Sequence, residues 1–345
     1  MSYLAESYRG IAALLVVLFH TNTITAYYFL DQNALTLFFG FGRAGVEFFF
    51  VLSGFIMYIA HNKDFSNRGK LSQYFYKRVI RIYPIYILIT LTLVPVFFLS
   101  ESYGESYHRE FIPLVKSLLL LPQEHLPHLG VAWSLVFEVI FYVAFSLFII
   151  NKRVGLIGFI FWGISIVFFF MIMGPVYDGG GEGYLWKILF SRYNMLFISG
   201  MLVAYILLNF SIKNRYIISL FIAGNILFLA SGLMLGDQET GIATVLFGLS
   251  SCLILFGCYN ADLEKTIKKI SFLGYLGKAS YSIYLTHTII ISILCKLFIL
   301  FEINQYLSIT FMFLFIAIIS TLSGGIIFKY IEKPMLIQMN RRLLK

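Results

Sequence analysis

Apolar residues recur in blocks of about 20 along almost the whole chain, each long enough to cross a ~30 Å hydrocarbon core at ~1.5 Å per helical residue. Ten such blocks run near residues 8–29, 39–60, 82–99, 131–150, 153–173, 189–209, 215–235, 240–258, 280–301 and 307–332. Short polar connections separate them. The pattern predicts an all-α, polytopic membrane protein in which residues 1–345 form a single transmembrane domain with no separate soluble domain.

The connections carry a second pattern. Basic residues gather in every other one: Lys63, Arg68, Lys70, Lys77, Arg78 and Arg81; Lys152 and Arg153; Lys213 and Arg215; Lys265, Lys268, Lys269 and Lys278; and Arg341, Arg342 and Lys345 in the tail. The intervening connections hold Asp31, Glu101, Glu105, Asp178, Glu182, Asp237, Glu239 and Glu302. By the positive-inside rule this alternation predicts both termini in the cytoplasm. Two connections on the predicted outer side are long, 100–130 and 174–188; the first has an amphipathic piece, Phe111–Leu121, and the second a GGGEG run.

Composition agrees. The chain is 59% hydrophobic and only 12% charged, too apolar for a soluble fold. The net charge of +9 then reports basic loops, and a nucleic-acid partner is not expected. Cys252, Cys258 and Cys295 lie in or at the ends of apolar runs without metal-ligand spacing and read as buried small hydrophobes, so no metal is expected. Glu6, Arg9 and the polar residues after His20 argue against a cleavable signal peptide. No internal repeat of the kind that builds inverted-repeat transporters is evident.

Ionisable groups inside apolar blocks are expensive and mark candidate chemistry. His20 falls ~17 Å into the first span, near its middle. Glu47, in GRAGVEFFFVLSGF, and Glu138, in AWSLVFE, fall ~12 Å and ~10 Å below the outer face by the same rise. An imidazole and two carboxylates thus reach similar depth from separate helices. A carboxylate accepting from one ring nitrogen fixes the tautomer and leaves the other as a base. The alternative is a polar network that only holds helices together.

At the predicted cytoplasmic end, Arg78 and Arg81 in YFYKRVIRIYP are neighbours on one helical face, a pairing suited to bidentate grip on phosphate oxygens. Arg9 opens the first helix at the same level, although anchoring to the basic side would also place such arginines. His287 lies ~10 Å into the ninth span, one or two turns below His20, as a donor-site group or a packing histidine. Near the outer end, Trp133 opens the fourth span and Ser134 follows it. Arg192 would meet Glu138 or an acceptor sugar, or snorkel to the interface. Glu332 in YIEKP reads as a structural ion-pairing group.

The pieces RGIAALLVVLFH, GVEFFFVLSGF, YKRVIRIYP, WSLVFE, SYSIYLTH and YIEKP, in this order from Arg9 to Pro334, resemble the acyltransferase-3 family of integral-membrane sugar O-acetylating enzymes. The resemblance implies about ten helices around a central cavity, acyl-CoA supplied from the cytoplasm, and a bacterial inner-membrane location. It implies His20 as the catalytic histidine and Arg78 with Arg81 as the pair facing the donor, and it puts Glu138 on an acidic motif position. Glu47 stands where aspartate is at least as usual. With no long extension after the last span, the chain resembles the stand-alone members that decorate exopolysaccharide, O-antigen or lipid-linked sugars.

The expected function is therefore transfer of an acetyl group from acetyl-CoA to a glycan hydroxyl. His20, Glu138 and Glu47 would be catalytic; Arg78, Arg81, Arg9 and His287 would serve the donor; Trp133, Ser134 and Arg192 would serve the acceptor. Expected partners are a glycan or lipid-linked sugar, membrane lipids and a possible second copy of the chain. A proton-coupled transporter or flippase, with His20 and the carboxylates as a relay, is the alternative; a non-catalytic assembly factor is a third reading.

Overall fold

The computed structural model describes residues 2–29, 39–99, 104–173, 183–238, 240–266 and 269–341. Asp31, Glu101, Asp178, Glu182, Glu239, Lys268, Arg342, Lys345 and most of the GGGEG run lie outside them. Among the described residues there are helices and no strand, and ten helical segments are long and apolar enough to cross a membrane. The chain is an all-helical, multi-pass membrane protein.

The segments follow the expected order, with two informative differences at their starts. The helix carrying Arg78 and Arg81 spans Leu71–Leu99, beginning well before the apolar block at 82, and runs through Pro84 and Pro95. The helix carrying His287 spans Ser271–Leu300, starting nine residues before the block at 280. Apolar windows mark what is compatible with lipid, whereas helix continues through polar residues such as Lys278 until its hydrogen-bond ladder is interrupted.

The chain divides into two compact units, residues 1–52 with 202–332, and residues 53–201 with 333–345. The first unit contains the helices Tyr3–Phe29, Asn214–Leu235, Gly241–Cys258, Ser271–Leu300 and Ile309–Ile327 and the first half of Gly45–His61. Its core is made of small and branched residues, with Ala13, Val17, Leu276, Ala279, Ile283 and Ala317 packed together. Small side chains let helix backbones approach, and association inside a membrane depends on such packing rather than on expelling water. Gly277 is the extreme case. A Cβ built there would lie 1.9 Å from the Glu6 carbonyl oxygen, so only glycine allows the first helix and Ser271–Leu300 to meet this closely.

The second unit is packed by aromatic rings. It includes the helices Leu71–Leu99, Phe111–Leu118, Trp133–Ile150, Lys152–Met173, Tyr184–Leu189 and Lys333–Arg341, with parts of Gly45–His61 and Arg192–Asn209. Phe141 stacks on Phe197 with centroids 4.4 Å apart, and Phe145, Phe148 and Phe159 continue the cluster. The Tyr74 hydroxyl donates to the Tyr142 carbonyl at 2.7 Å, tying Leu71–Leu99 to Trp133–Ile150. The expected amphipathic piece forms the short helix Phe111–Leu118, with Phe111 and Ile112 exposed.

Candidate active site

His20 lies seventeen residues after the start of Tyr3–Phe29, and His287 sixteen residues after the start of Ser271–Leu300. Close contact at Gly277 sets the register of these helices and brings the two imidazoles together. His287 Nε2 is 3.1 Å from His20 Nδ1, with ring centroids 4.8 Å apart. His287 therefore lies against His20 rather than one or two turns below it. The earlier helix start accounts for the shift.

Hydrogen-bond chemistry fixes where the protons reside. His287 Nδ1 faces the carbonyls of Tyr284 at 2.7 Å and Ile283 at 3.2 Å, and carbonyls only accept, so Nδ1 carries the hydrogen and donates. His287 Nε2 is then an acceptor, and the hydrogen shared with His20 must come from His20 Nδ1. That same nitrogen lies 3.0 Å from the Val16 carbonyl, a second acceptor. His20 is thus the Nδ1–H tautomer, and its Nε2 keeps a lone pair. His287 is fully buried while His20 is half-buried, so of the two rings His20 is the more accessible. Both ring nitrogens of His287 are committed to partners within the protein.

Elsewhere in the first unit, Glu47 lies in the first turn of Gly45–His61 at 1% exposure. A Cβ at neighbouring Gly45 would fall 2.4 Å from the Ala12 carbonyl, which puts this turn directly against the His20 helix. Arg9 is half-buried eleven residues before His20, ~16 Å along the axis. Glu332 is buried and accepts from the Ser282 hydroxyl at 2.5 Å.

In the second unit a continuous polar string joins two expected residues through partners the sequence reading missed. Asp64 Oδ2 lies 2.9 Å from His61 Nδ1, and Arg78 Nη2 lies 3.3 Å from His61 Nε2. A guanidinium has only donors, so His61 Nε2 accepts from Arg78 and His61 Nδ1–H donates to Asp64. The Arg78 guanidinium carbon then lies 5.5 Å from the centre of the Tyr142 ring, a cation–π contact. The Tyr142 hydroxyl donates to Glu138, one turn earlier on the same helix, in a short bond, and the Ser53 hydroxyl donates to the same carboxylate oxygen at 3.3 Å. Glu138 is thus held by two hydroxyls, and Arg78 is oriented by an imidazole. Arg78 Nε is buried without a hydrogen-bond partner, a donor still to be satisfied. Arg81 is half-buried one turn further along.

The remaining expected residues gather around the start of Trp133–Ile150. The half-buried Trp133 meets Tyr193 at 5.5 Å and Phe137 at 5.9 Å between ring centroids. Ser134 is buried and donates to the Val131 carbonyl at 3.3 Å. Arg192 is 9% exposed, with its guanidinium 5.3 Å from the Tyr193 ring centre, and its Nε and Nη1 have no hydrogen-bond partner. Among the described residues no three His, Cys, Asp or Glu side chains group as metal ligands would.

A multi-pass helical membrane protein with a forced imidazole tautomer at mid-helix and buried, incompletely satisfied arginines has the makings of a group-transfer enzyme. The chain belongs to the acyltransferase-3 family: the family model described as an acyltransferase domain matches residues 6–330. It is similar to "Putative O-acetyltransferase SACOL0978" of Staphylococcus aureus (strain COL), 27% identical over 327 residues, covering 83% of this chain and 50% of the relative. It is also similar to "Exopolysaccharide production protein ExoZ" of Rhizobium meliloti (strain 1021), 28% identical over 324 residues, covering 86% of this chain and 90% of that protein. The chain spans about half the length of the staphylococcal relatives it matches. No solved structure matches it significantly.

Proposed function

We propose that this acyltransferase is an O-acetyltransferase of a bacterial inner membrane, moving acetyl from acetyl-CoA to a hydroxyl of a cell-envelope or exported glycan with His20 as the proton acceptor. The observation that carries the reading is the order of hydrogen bonds in the imidazole pair. Because the His20 Nδ1–H is taken up by His287 and the Val16 carbonyl, His20 Nε2 keeps its lone pair on a ring that cannot reorient without breaking two contacts. The names of the relatives, one an O-acetyltransferase and one an exopolysaccharide production protein, support acetyl and glycan.

In the proposed step His20 Nε2 takes the proton of the acceptor hydroxyl as its oxygen attacks the thioester carbonyl. The carbon–sulfur bond breaks, and the departing thiolate takes the proton back from the imidazolium, leaving an O-acetyl ester and free CoA. The same lone pair would equally allow transient acetylation of Nε2 before transfer. His287 stabilises the imidazolium through the bond to Nδ1, and Glu47 is the carboxylate proposed to balance its charge; a catalytic role is proposed for Glu138 as well. Arg78 and Arg81 are proposed to bind the donor's phosphates, Arg78 being held for that by His61; a donor role is proposed for Arg9 as well. Trp133, Ser134 and Arg192 are proposed to serve the acceptor.

The test uses membranes containing wild type or His20→Ala, offered acetyl-CoA labelled in the acetyl group. Wild type is expected to label glycan, and a folded His20→Ala protein to do so about 10²–10⁴ times more slowly, the range for loss of a general base. Equal rates would overturn the assignment.

A further inference from the structure

Tyr142 stands between the two charged groups of the second unit's polar string and touches both. Its ring lies against the half-buried Arg78, whose guanidinium carbon is 5.5 Å from the ring centre, within the ~6 Å over which an aromatic face holds a cation. Its hydroxyl donates to Glu138 Oε1. Tyr142 is 5% exposed, and its main chain is pinned by Tyr74, on the helix that also carries Arg78, whose hydroxyl donates to the Tyr142 carbonyl at 2.7 Å. One side chain therefore meets a cation with its face and an anion with its edge.

A buried hydroxyl elsewhere in the same unit shows what bracing alone looks like. Ser117 Oγ accepts from Gln123 Nε2 at 3.1 Å and from the His128 backbone N–H at 3.1 Å, and donates to His128 Nδ1 at 3.0 Å. Its one hydrogen and both lone pairs are spent within a single connection, and neither a carboxylate nor a guanidinium takes part. Around Glu138 the arrangement is one-sided. The Ser53 hydroxyl, at 3.3 Å, and the Tyr142 hydroxyl both go to Oε1, which orients the half-buried carboxylate and leaves Oε2 to neither of them.

We propose that Tyr142 is a positioning residue that couples the donor's phosphates at Arg78 to the Glu138 carboxylate. A guanidinium over a phenol ring draws ring electrons toward itself and makes the O–H a stronger donor. While Arg78 is free, the short bond from Tyr142 holds Glu138 and weakens it as an acceptor for any other group. A phosphate on Arg78 neutralises the cation, the phenol donates less strongly, and the carboxylate recovers its power to accept. Glu138 is thus released only once the donor is in place. This coupling rests on the donor role proposed above for Arg78 and adds a link that the separate roles of Arg78 and Glu138 do not contain.

Infrared difference spectroscopy reads the link without acyl transfer. Protein carrying ¹³C-labelled glutamate, in lipid nanodiscs, is recorded with and without CoA, which has the donor's phosphates but no acetyl group. CoA is expected to shift a carboxylate band that is absent from Glu138→Gln. The shift should be lost in Tyr142→Phe, which keeps the ring against Arg78 and so keeps the affinity for CoA. Tyr142→Leu, which removes the ring as well, is expected to weaken CoA binding by about threefold or more. Should Tyr142→Phe fail to fold, ring-labelled tyrosine decides: one C–O band is expected to shift on CoA binding in wild type and not in Glu138→Gln. A Glu138 band that CoA leaves unmoved in wild type, or moves equally in Tyr142→Phe, is the signature of a hydroxyl that only braces helices and overturns the coupling alone. A tyrosine band that shifts equally in Glu138→Gln, or unchanged CoA affinity in a folded Tyr142→Leu, does the same. Failure of wild type to bind CoA, or binding untouched by Arg78→Ala, overturns the donor reading and the coupling with it.

Discussion

Two histidine-centred regions of this molecule use the same tautomer for opposite ends. In the first unit, His287 gives its Nδ1–H to backbone carbonyls and offers Nε2 to His20. In the second, His61 gives its Nδ1–H to Asp64 and offers Nε2 to Arg78. The partner makes the difference. An imidazole that donates through one nitrogen still has a lone pair on the other, so the first chain of bonds ends in a base. A guanidinium has no lone pair, so the second ends in a cation held in place. Local hydrogen-bond order, more than the presence of histidine, separates a group suited to accept a proton from one suited to position charge.

The largest effect that would break this comparison concerns the pair as a unit. His20→Ala combined with His287→Leu should lose about 10²–10⁴ of kcat and be no slower than His20→Ala alone, since groups acting together are not additive. A double variant that multiplies the two losses would mean that His287 acts independently. Alone, His287→Leu should lower kcat by about 10–100-fold, with the KM for acetyl-CoA unchanged, as expected of a group that orients a base. His287→Gln, whose side-chain oxygen can still accept from His20 Nδ1–H, should recover part of that loss in the same assay.

Changes to the second region should appear in the other kinetic constant. Arg78→Ala should raise the KM for acetyl-CoA by about 10-fold or more, and His61→Ala by a few-fold, with kcat nearly kept, because charge-assisted bonds to phosphate are lost or loosened. A kcat effect without a KM effect would move the donor site elsewhere. Smaller again is Gly277→Ala, whose added methyl would press on the Glu6 carbonyl; it should cost about 1–3 kcal/mol of stability, read as a lower thermal midpoint, with the His20 register disturbed.

The smallest effect separates both regions from the segment around Gln123. Burial lowers the pKa of His108 and of His128 below the usual ~6.5, more than their hydrogen bonds to backbone raise it. The unfolded chain therefore binds more protons than the folded one as pH falls below about 6.5, and stability is lost in that direction. Protection factors for amide exchange in 106–128, taken relative to the intrinsic exchange rate at each pH, should fall between pH 7 and 5 and stay level above 7.

Much of this was legible in the chain itself. The ten spans show as apolar blocks, and His20, Glu47 and Glu138 stand out because ionisable groups in such blocks are costly, Arg78 because it pairs with Arg81 on one helical face. The contacts of His287 were not legible, because its helix begins in a polar stretch that hydropathy assigns to a connection. His61 was overlooked because it ends its helix in a polar HNKD turn, where a lone histidine reads as loop; its three-residue spacing to Asp64 was the available signal. Gln123 and His128 belong to the part of a connection that has no periodicity, and Ser117 ends the amphipathic piece before it. Their partnership depends on chain reversal, which no local pattern records.

The central claim is the bare nitrogen on His20, and ¹⁵N solid-state NMR of histidine-labelled protein in lipid tests it directly, with His20→Gln identifying the signal. At neutral pH the account predicts a His20 ring protonated at Nδ1 with an unprotonated Nε2, coupled across a hydrogen bond to His287 Nε2. A His20 ring carrying its hydrogen on Nε2, or showing no coupling to His287, would contradict it.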